Sequence, residues 1–178
     1  LIVADSAGVL RIFSLTEQRV VSEFHLDGIA LAKDILKTDN GSIWVATDGK
    51  GLIRIKDSQI EVYNHRNDIP NSLCSNYVRT LCQNGDQLWI GTGNGLSIMS
   101  MSSGMFTTIT GSPHRNYSLS HNSIKSIYKD ADSNLWIGTY YGGVNYCFQM
   151  QSIFFSESSI SFAFQSISWK TTLRPSLS

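Results

Sequence analysis

The residues best equipped for chemistry in this chain are four histidines, three cysteines and a few recurring dipeptides. His25, His65, His114 and His121 are scattered along 178 residues, and so are Cys74, Cys82 and Cys147. Structural zinc sites draw their ligands from closely spaced Cys and His pairs, and no such spacing occurs here. The odd cysteine count gives no disulfide framework, so the three read as buried thiols. His114 and His121 share one loop, but no G-x-S-x-G elbow accompanies them. Gly93-Asn94-Gly95 has the look of a phosphate cradle. A phosphate loop needs a following Lys-Ser/Thr and a helix, whereas Leu96-Ser97-Ile98 has the pattern of a strand. "DADSN" (Asp130 to Asn134) offers calcium-loop oxygens, but the twelfth position from Asp130 is Tyr141, where the calcium loop needs a glutamate. Hairpin-turn chemistry accounts for it. The reading is therefore not an enzyme: no catalytic residue, no metal ligand and no cofactor site is assigned.

Two features remain. His65-Arg66 and His114-Arg115 recur inside similar segments, "HRNDIPNSLCSNYVRTL" and "HRNYSLSHNSIKSI". They either tie a long loop to its surroundings or form a polar rim that hydrogen-bonds sugar hydroxyls or carboxylates. Tyr140-Tyr141 stands in "NLWIGTYYGGVNYC" where the sister segments have Asp48-Gly49 and Gly93-Asn94. Its two readings are packing against a neighbouring unit and an aromatic shelf for a sugar face.

The elements that position these residues repeat. Trp44, Trp89 and Trp136 are 45 and 47 residues apart, and Gly51, Gly95 and Gly143 keep step. "LIVADSAGVLRIFSL" is a degenerate first copy, with Gly8 standing 43 residues before Gly51. Within the best copy, "YVRTLCQ", "QLWIGT", "LSIMSMS" and "MFTTIT" read as four short strands joined by Gly-containing turns. A period near 45 residues with four strands per unit is the signature of a β-propeller blade. The fold expected is all-β: a partial propeller of about three four-stranded blades plus a partial N-terminal blade. The units fall at 1–30 (partial blade), 31–76, 77–122 and 123–150 (incomplete), followed by an atypical tail at 151–178. Trp44, Trp89 and Trp136 supply the large area a blade buries against its neighbour. Gly91 and Gly138 permit close approach, with Ala46 in their place in the second unit. Thr47, Thr92 and Thr139 can bond the turn backbone, and Gly51, Gly95 and Gly143 supply positive φ.

Composition narrows the partners. Fourteen basic and fourteen acidic residues cancel, which argues against nucleic acid and anionic membrane surfaces. No run of about 18 apolar residues exists to span a bilayer. The opening "LIVADSAGVL" lacks the basic n-region of a signal peptide, and a first residue other than Met suggests a fragment of something longer. Three copies and a partial one fall short of the four to eight blades of closed propellers.

"SIWVATDGKGLIRI", "QLWIGTGNGLSIM" and "SIKSIYKDADSNLWIGTYYGGVNY" resemble the two-component regulator propeller repeat, and "NHRNDIPNSLCSN" is similar to the inter-blade loop of that family. The resemblance covers residues 1–150. It implies the periplasmic sensor region of a hybrid two-component histidine kinase/response regulator protein of Bacteroidetes. There, propellers bind an extracellular oligosaccharide or other small ligand and relay the signal through a membrane helix to a kinase that this chain does not contain. The partners it implies are the remaining blades of a homodimeric parent. The alternatives are a propeller scaffold for protein–protein contacts and a truncated, non-functional product. The tail, "QSIFFSESSISFAFQSISWKTTLRPSLS", lacks glycine and the Trp-Ile-Gly-Thr motif. It reads as frameshifted or truncated, or else as an exposed strand pair prone to aggregation.

Overall fold

The computed structural model describes residues 1–26, 31–112, 118–147 and 169–171. They form four sheets in which every strand pairing is antiparallel. The first holds β1 (Ile2–Ala4), β2 (Val9–Ser14) and β3 (Arg19–His25). The second holds β4 (Ala32–Lys37), β5 (Ile43–Thr47), β6 (Leu52–Lys56) and β7 (Gln59–Tyr63). The third holds β8 (Val78–Asn84), β9 (Gln87–Thr92), β10 (Gly95–Ser100) and β11 (Phe106–Ile109). The fourth holds β12 (Ile124–Lys129), β13 (Leu135–Thr139), β14 (Val144–Cys147) and β15 (Trp169–Thr171). Each sheet is a meander, and no helix occurs among the described residues.

The sheets stack side by side because each is apolar on both faces. Every residue of β5, Ile-Trp-Val-Ala-Thr, is buried. The two-residue period of a strand sends Ile43 and Val45 to one side and Trp44 and Ala46 to the other. Ile43, Val45, Ile53 and Ile55 pack with Leu10 of the first sheet and with Leu26. Trp44, Ala46 and Leu52 pack with Val78, Leu81, Leu88 and Ile90 of the third. Trp89, Leu96 and Ile98 repeat the arrangement against Ile124, Leu135 and Ile137 of the fourth. The core is therefore three layers between four sheets. Neighbouring sheets also touch through their first strands, β4 with β8 and β8 with β12, as the strands nearest a propeller axis do.

Close approach is visible at Gly91: a Cβ there would lie 2.6 Å from both Ile124 Cγ2 of the next sheet and Thr80 Cγ2. At Gly138 the crowding comes from Ser126 Oγ, also 2.6 Å away. Trp136 departs from the burial expected of the three tryptophans. Trp44 and Trp89 are 1% and 3% exposed, but Trp136 is 40% exposed. Its ring meets that of Tyr146 at a tilt of 46°, centroids 4.2 Å apart, and its indole N–H donates to Asp130 Oδ2. Burial of this position requires a following sheet, and none of the described residues supplies one. Residues 123–150 contribute three strands to the last sheet, and β15 from the tail pairs with β14 in the register Asn145↔Thr171. The remainder of the tail, where the frameshift reading falls, lies outside the described residues.

Trp89→Ala is expected to lower unfolding stability by about 3–5 kcal/mol, as deletion of a buried aromatic does. Trp136→Ala in the same chain is expected to cost about 1 kcal/mol, chiefly its ring pair. Urea unfolding of both variants checks this, and equal costs would show that the Trp136 face is covered.

Candidate functional site

The polar side chains gather at the edge where the β5–β6, β9–β10 and β13–β14 turns meet the loops that enter β8 and β12. The three turns are built alike. Thr47, Thr92 and Thr139 donate their hydroxyls to the carbonyls of Gly51, Gly95 and Gly143 at 2.6, 2.8 and 2.9 Å. The same oxygens accept the backbone N–H of Lys50, Asn94 and Gly142. Each turn ends on a glycine with positive φ, at 79°, 125° and 74°, a backbone region that favours glycine. In the first sheet Asp5 takes the place of threonine: its Oδ1 accepts the Ala7 and Val9 N–H groups, the latter being the largest cause that holds its carboxyl below the ordinary range.

The entry loops are tied to these turns. The Asn76 carbonyl accepts the Gly51 N–H, and its side chain accepts the His65 N–H at 2.6 Å. Asn122 does the same for the Gly95 and Gly111 N–H groups. His65 lies within this frame: Nδ1 is 2.7 Å from the Leu73 carbonyl and Nε2 is 2.9 Å from Asn67 Oδ1. Arg66 forks onto Asp68 through two hydrogen bonds, which raises the guanidinium and lowers the carboxyl from their ordinary values. Both rings of contact are local to the loop. His114 and Arg115 lie outside the described residues.

Tyr140 and Tyr141 stand on the β13–β14 turn, 52% and 66% exposed. Their rings meet edge to face at 4.4 Å. Tyr141 also meets His121 at 5.6 Å, and Lys125 Nζ lies 4.9 Å from the Tyr140 ring centroid. Sequence reasoning missed Tyr77 and the cations near the turns. Tyr77, 58% exposed, lies over the β5–β6 turn, with its Cε1 3.6 Å from a Cβ placed on Gly49. Aligning the starts of the first strands, "LAKDIL", "YVRTLC" and "SIKSIY", would have revealed a cation every 46 residues at Lys33, Arg79 and Lys125.

All three cysteines are thiols rather than disulfides, Cys147 buried and Cys74 and Cys82 half-buried. Cys74 Sγ lies 3.2 Å from Thr92 Oγ1. Burial pushes the Cys82 thiol above its ordinary value, and the Cys147 thiol up to about 11. Among the described residues no group of three His, Cys, Asp or Glu side chains is placed to hold a metal ion.

The family model described as two component regulator propeller matches residues 72–94 and 118–141. Among solved structures, the extracellular domain of a hybrid two component system from B. thetaiotaomicron is 32% identical, with a TM-score of 0.60; the match covers 82% of this chain and 18% of that one. A second extracellular domain from the same organism is 22% identical with a TM-score of 0.59, covering 100% of this chain and 22% of that one. The WD40 beta propeller domain of Doa1 is 13% identical with a TM-score of 0.62, covering 85% and 47%; these last two likenesses concern the fold. The chain thus spans about a fifth of the length of the two extracellular domains. No curated protein matches it at comparable stringency.

Thr92→Val removes the hydroxyl from a buried turn and is expected to cost about 1–3 kcal/mol, the range for orphaned buried polar groups. Thr139→Val, at the exposed turn, is expected to cost less; denaturant melts of the two rank them. At pH 8 the Cys147 thiol is expected to resist iodoacetamide until the chain unfolds, because only the thiolate is nucleophilic. Mass mapping of alkylated sites with and without urea reads this out.

Proposed function

From the premise that this chain carries two component regulator propeller repeats on a partial β-propeller, we propose that it is a ligand-sensing segment of a hybrid two-component protein. It belongs to the periplasmic sensor region of that protein. The ligand is an oligosaccharide, held at the edge where turns and entry loops meet. The remaining blades of a homodimeric parent complete the propeller, and a kinase elsewhere in the parent receives the signal.

The observation that carries this reading is the exposed Tyr140–Tyr141 pair. The repeat does not require it, since the sister turns place Asp48-Gly49 and Gly93-Asn94 there. Two large rings left in solvent on a turn braced by Thr139 and Gly143 suit the apolar faces of sugars, while their hydroxyls and the Lys125 ammonium serve the sugar's polar edge. The 32% identity to an extracellular domain of a hybrid two component system supports the sensor role. Signalling needs more than affinity: the ligand shifts the parent's equilibrium only by its differential binding to the two states. An edge that collects residues from consecutive sheets meets that need, because a ligand spanning it senses their relative pose.

Tyr140→Ala and Tyr141→Ala are each expected to weaken binding of the recognised oligosaccharide about tenfold, the loss of one aromatic contact of about 1.4 kcal/mol. The melting temperature should stay close to wild type because both rings are exposed. Calorimetric titration with an oligosaccharide panel decides: unchanged affinity in both variants removes the tyrosine shelf. Capture of a protein partner with no sugar binding at all would favour the scaffold reading instead.

A further inference from the structure

The first strands of the second, third and fourth sheets each open on a β-bulge. Pairing steps from Ala32 to Asp34 in β4, from Val78 to Thr80 in β8 and from Ile124 to Ser126 in β12. The residues left over are Lys33, Arg79 and Lys125. A bulge leaves one residue outside the ladder and re-aims its side chain. The flanking residues vary in chemistry, but the bulged one is a cation in all three sheets. A chain with no net charge thus sets three cations at one level of three adjoining strands.

Their partners differ in a telling way. Lys33 Nζ pairs with Asp48 Oδ2 at 2.9 Å. Asp48 holds the turn position that Gly93 and Tyr140 hold in the next two sheets. Arg79 therefore meets no carboxylate there: its Nη1 donates to Ser123 Oγ at 2.5 Å and to the Ile124 carbonyl at 3.1 Å. Lys125 lies over the Tyr140 ring. Neither Arg79 nor Lys125 enters any of the ion pairs among the described residues. The two are joined in space. Ser123, which fixes the Arg79 guanidinium, accepts the Tyr140 N–H through its carbonyl at 2.8 Å. On the other side, Arg79 Nη2 and Tyr77 Cβ lie 3.6 and 3.5 Å from a Cβ placed on Gly93, so the missing side chain leaves the space between them open.

We propose that Tyr77, Arg79, Tyr140 and Lys125 form a binding strip for an acidic sugar. Arg79 and Lys125 hold a carboxylate or sulfate, and the two tyrosines hold the ring faces. The inference rests on the sugar-sensing reading above and adds the charge of the ligand. A guanidinium oriented beforehand by neutral acceptors keeps its remaining N–H groups for an anion. Asp48 closes the strip at its far end by neutralising Lys33.

The test uses the whole chain and a set of uronate- and sulfate-bearing oligosaccharides, each beside its methyl-esterified or desulfated counterpart, titrated by calorimetry. The uronate and sulfate arms separate the two sources of charge. The expected result is that an acidic member binds at least about tenfold more tightly than its neutral counterpart, the worth of one charge-assisted contact. Raising salt weakens it. Arg79→Gln is expected to lower that affinity about tenfold. Because Arg79 also ties two sheets together, Lys125→Gln, whose described partner is an exposed ring, is the fold-sparing variant, with an expected loss of about fivefold. Asp48→Asn releases Lys33 and is expected to tighten acidic ligands about twofold or more. Equal binding of acidic and neutral members overturns the charge inference and leaves sugar sensing standing; so do Lys125→Gln and Asp48→Asn variants with unaltered affinity for an acidic member. Failure of every member to bind overturns both.

Discussion

A sheet that is apolar on both faces cannot bury itself, and the rest of this molecule follows from that constraint. β5 has no solvent-facing residue at all: Trp44 and Ala46 need a cover on one side, Ile43 and Val45 on the other. The first sheet covers the isoleucine–valine side and the third covers the tryptophan side. Stability therefore resides between sheets more than within them, as in quasi-one-dimensional repeat proteins. The same logic leaves Trp136, Tyr128 and Val144 exposed on the fourth sheet. Trp136 and Trp44 are the same residue at the same strand position; what differs is whether the described residues include a next sheet to receive it.

Tight stacking creates a second problem, which is the backbone at the sheet ends. Its N–H and C=O groups need partners close to a packed core. Threonine and asparagine side chains supply them within a few residues. The threonine hydroxyl closes the turn, and the asparagine amide oxygen holds the long loop, as at His65 and Gly111. Ser72 and Ser118 repeat the device one step further, each bridging the N–H and carbonyl of a single loop residue, Arg66 or Ser112. The described ends of both loops are thus fastened by side-chain hydrogen bonds to the loop backbone.

Much of this was readable in the sequence because the frame uses residue types that only a few geometries accept. Glycines at 51, 95 and 143 have positive φ, the threonines bond their turns, and the strand period sorted the core. The cations of the edge were not read, for a physical reason. A bulge interrupts the two-residue alternation, so Lys33, Arg79 and Lys125 pass for ordinary outward-facing positions when each strand is read alone. Tyr77 was hidden likewise: its place over Gly49 depends on a contact between two units, and no single unit predicts it. His65-Arg66 recurs conspicuously, yet the described contacts of both residues stay within their own loop.

The edge is where variation is cheap in structural terms. At the turn position occupied by Asp48, Gly93 and Tyr140, the frame bonds the backbone N–H alone, to the carbonyls of Leu31, Tyr77 and Ser123. Side chains there carry no obligation to the core, so a carboxylate, a hydrogen and a phenol all fit one backbone. The bulge two residues beyond each of those carbonyls then sets a cation beside whatever side chain the turn presents. Where the turn presents aspartate, the pair neutralises itself; where it presents glycine or tyrosine, the charge stays available. One fixed scaffold can therefore set the polarity of its rim sheet by sheet, through the residue opposite the bulge, without disturbing the Thr-Gly clamp that holds the turn in place.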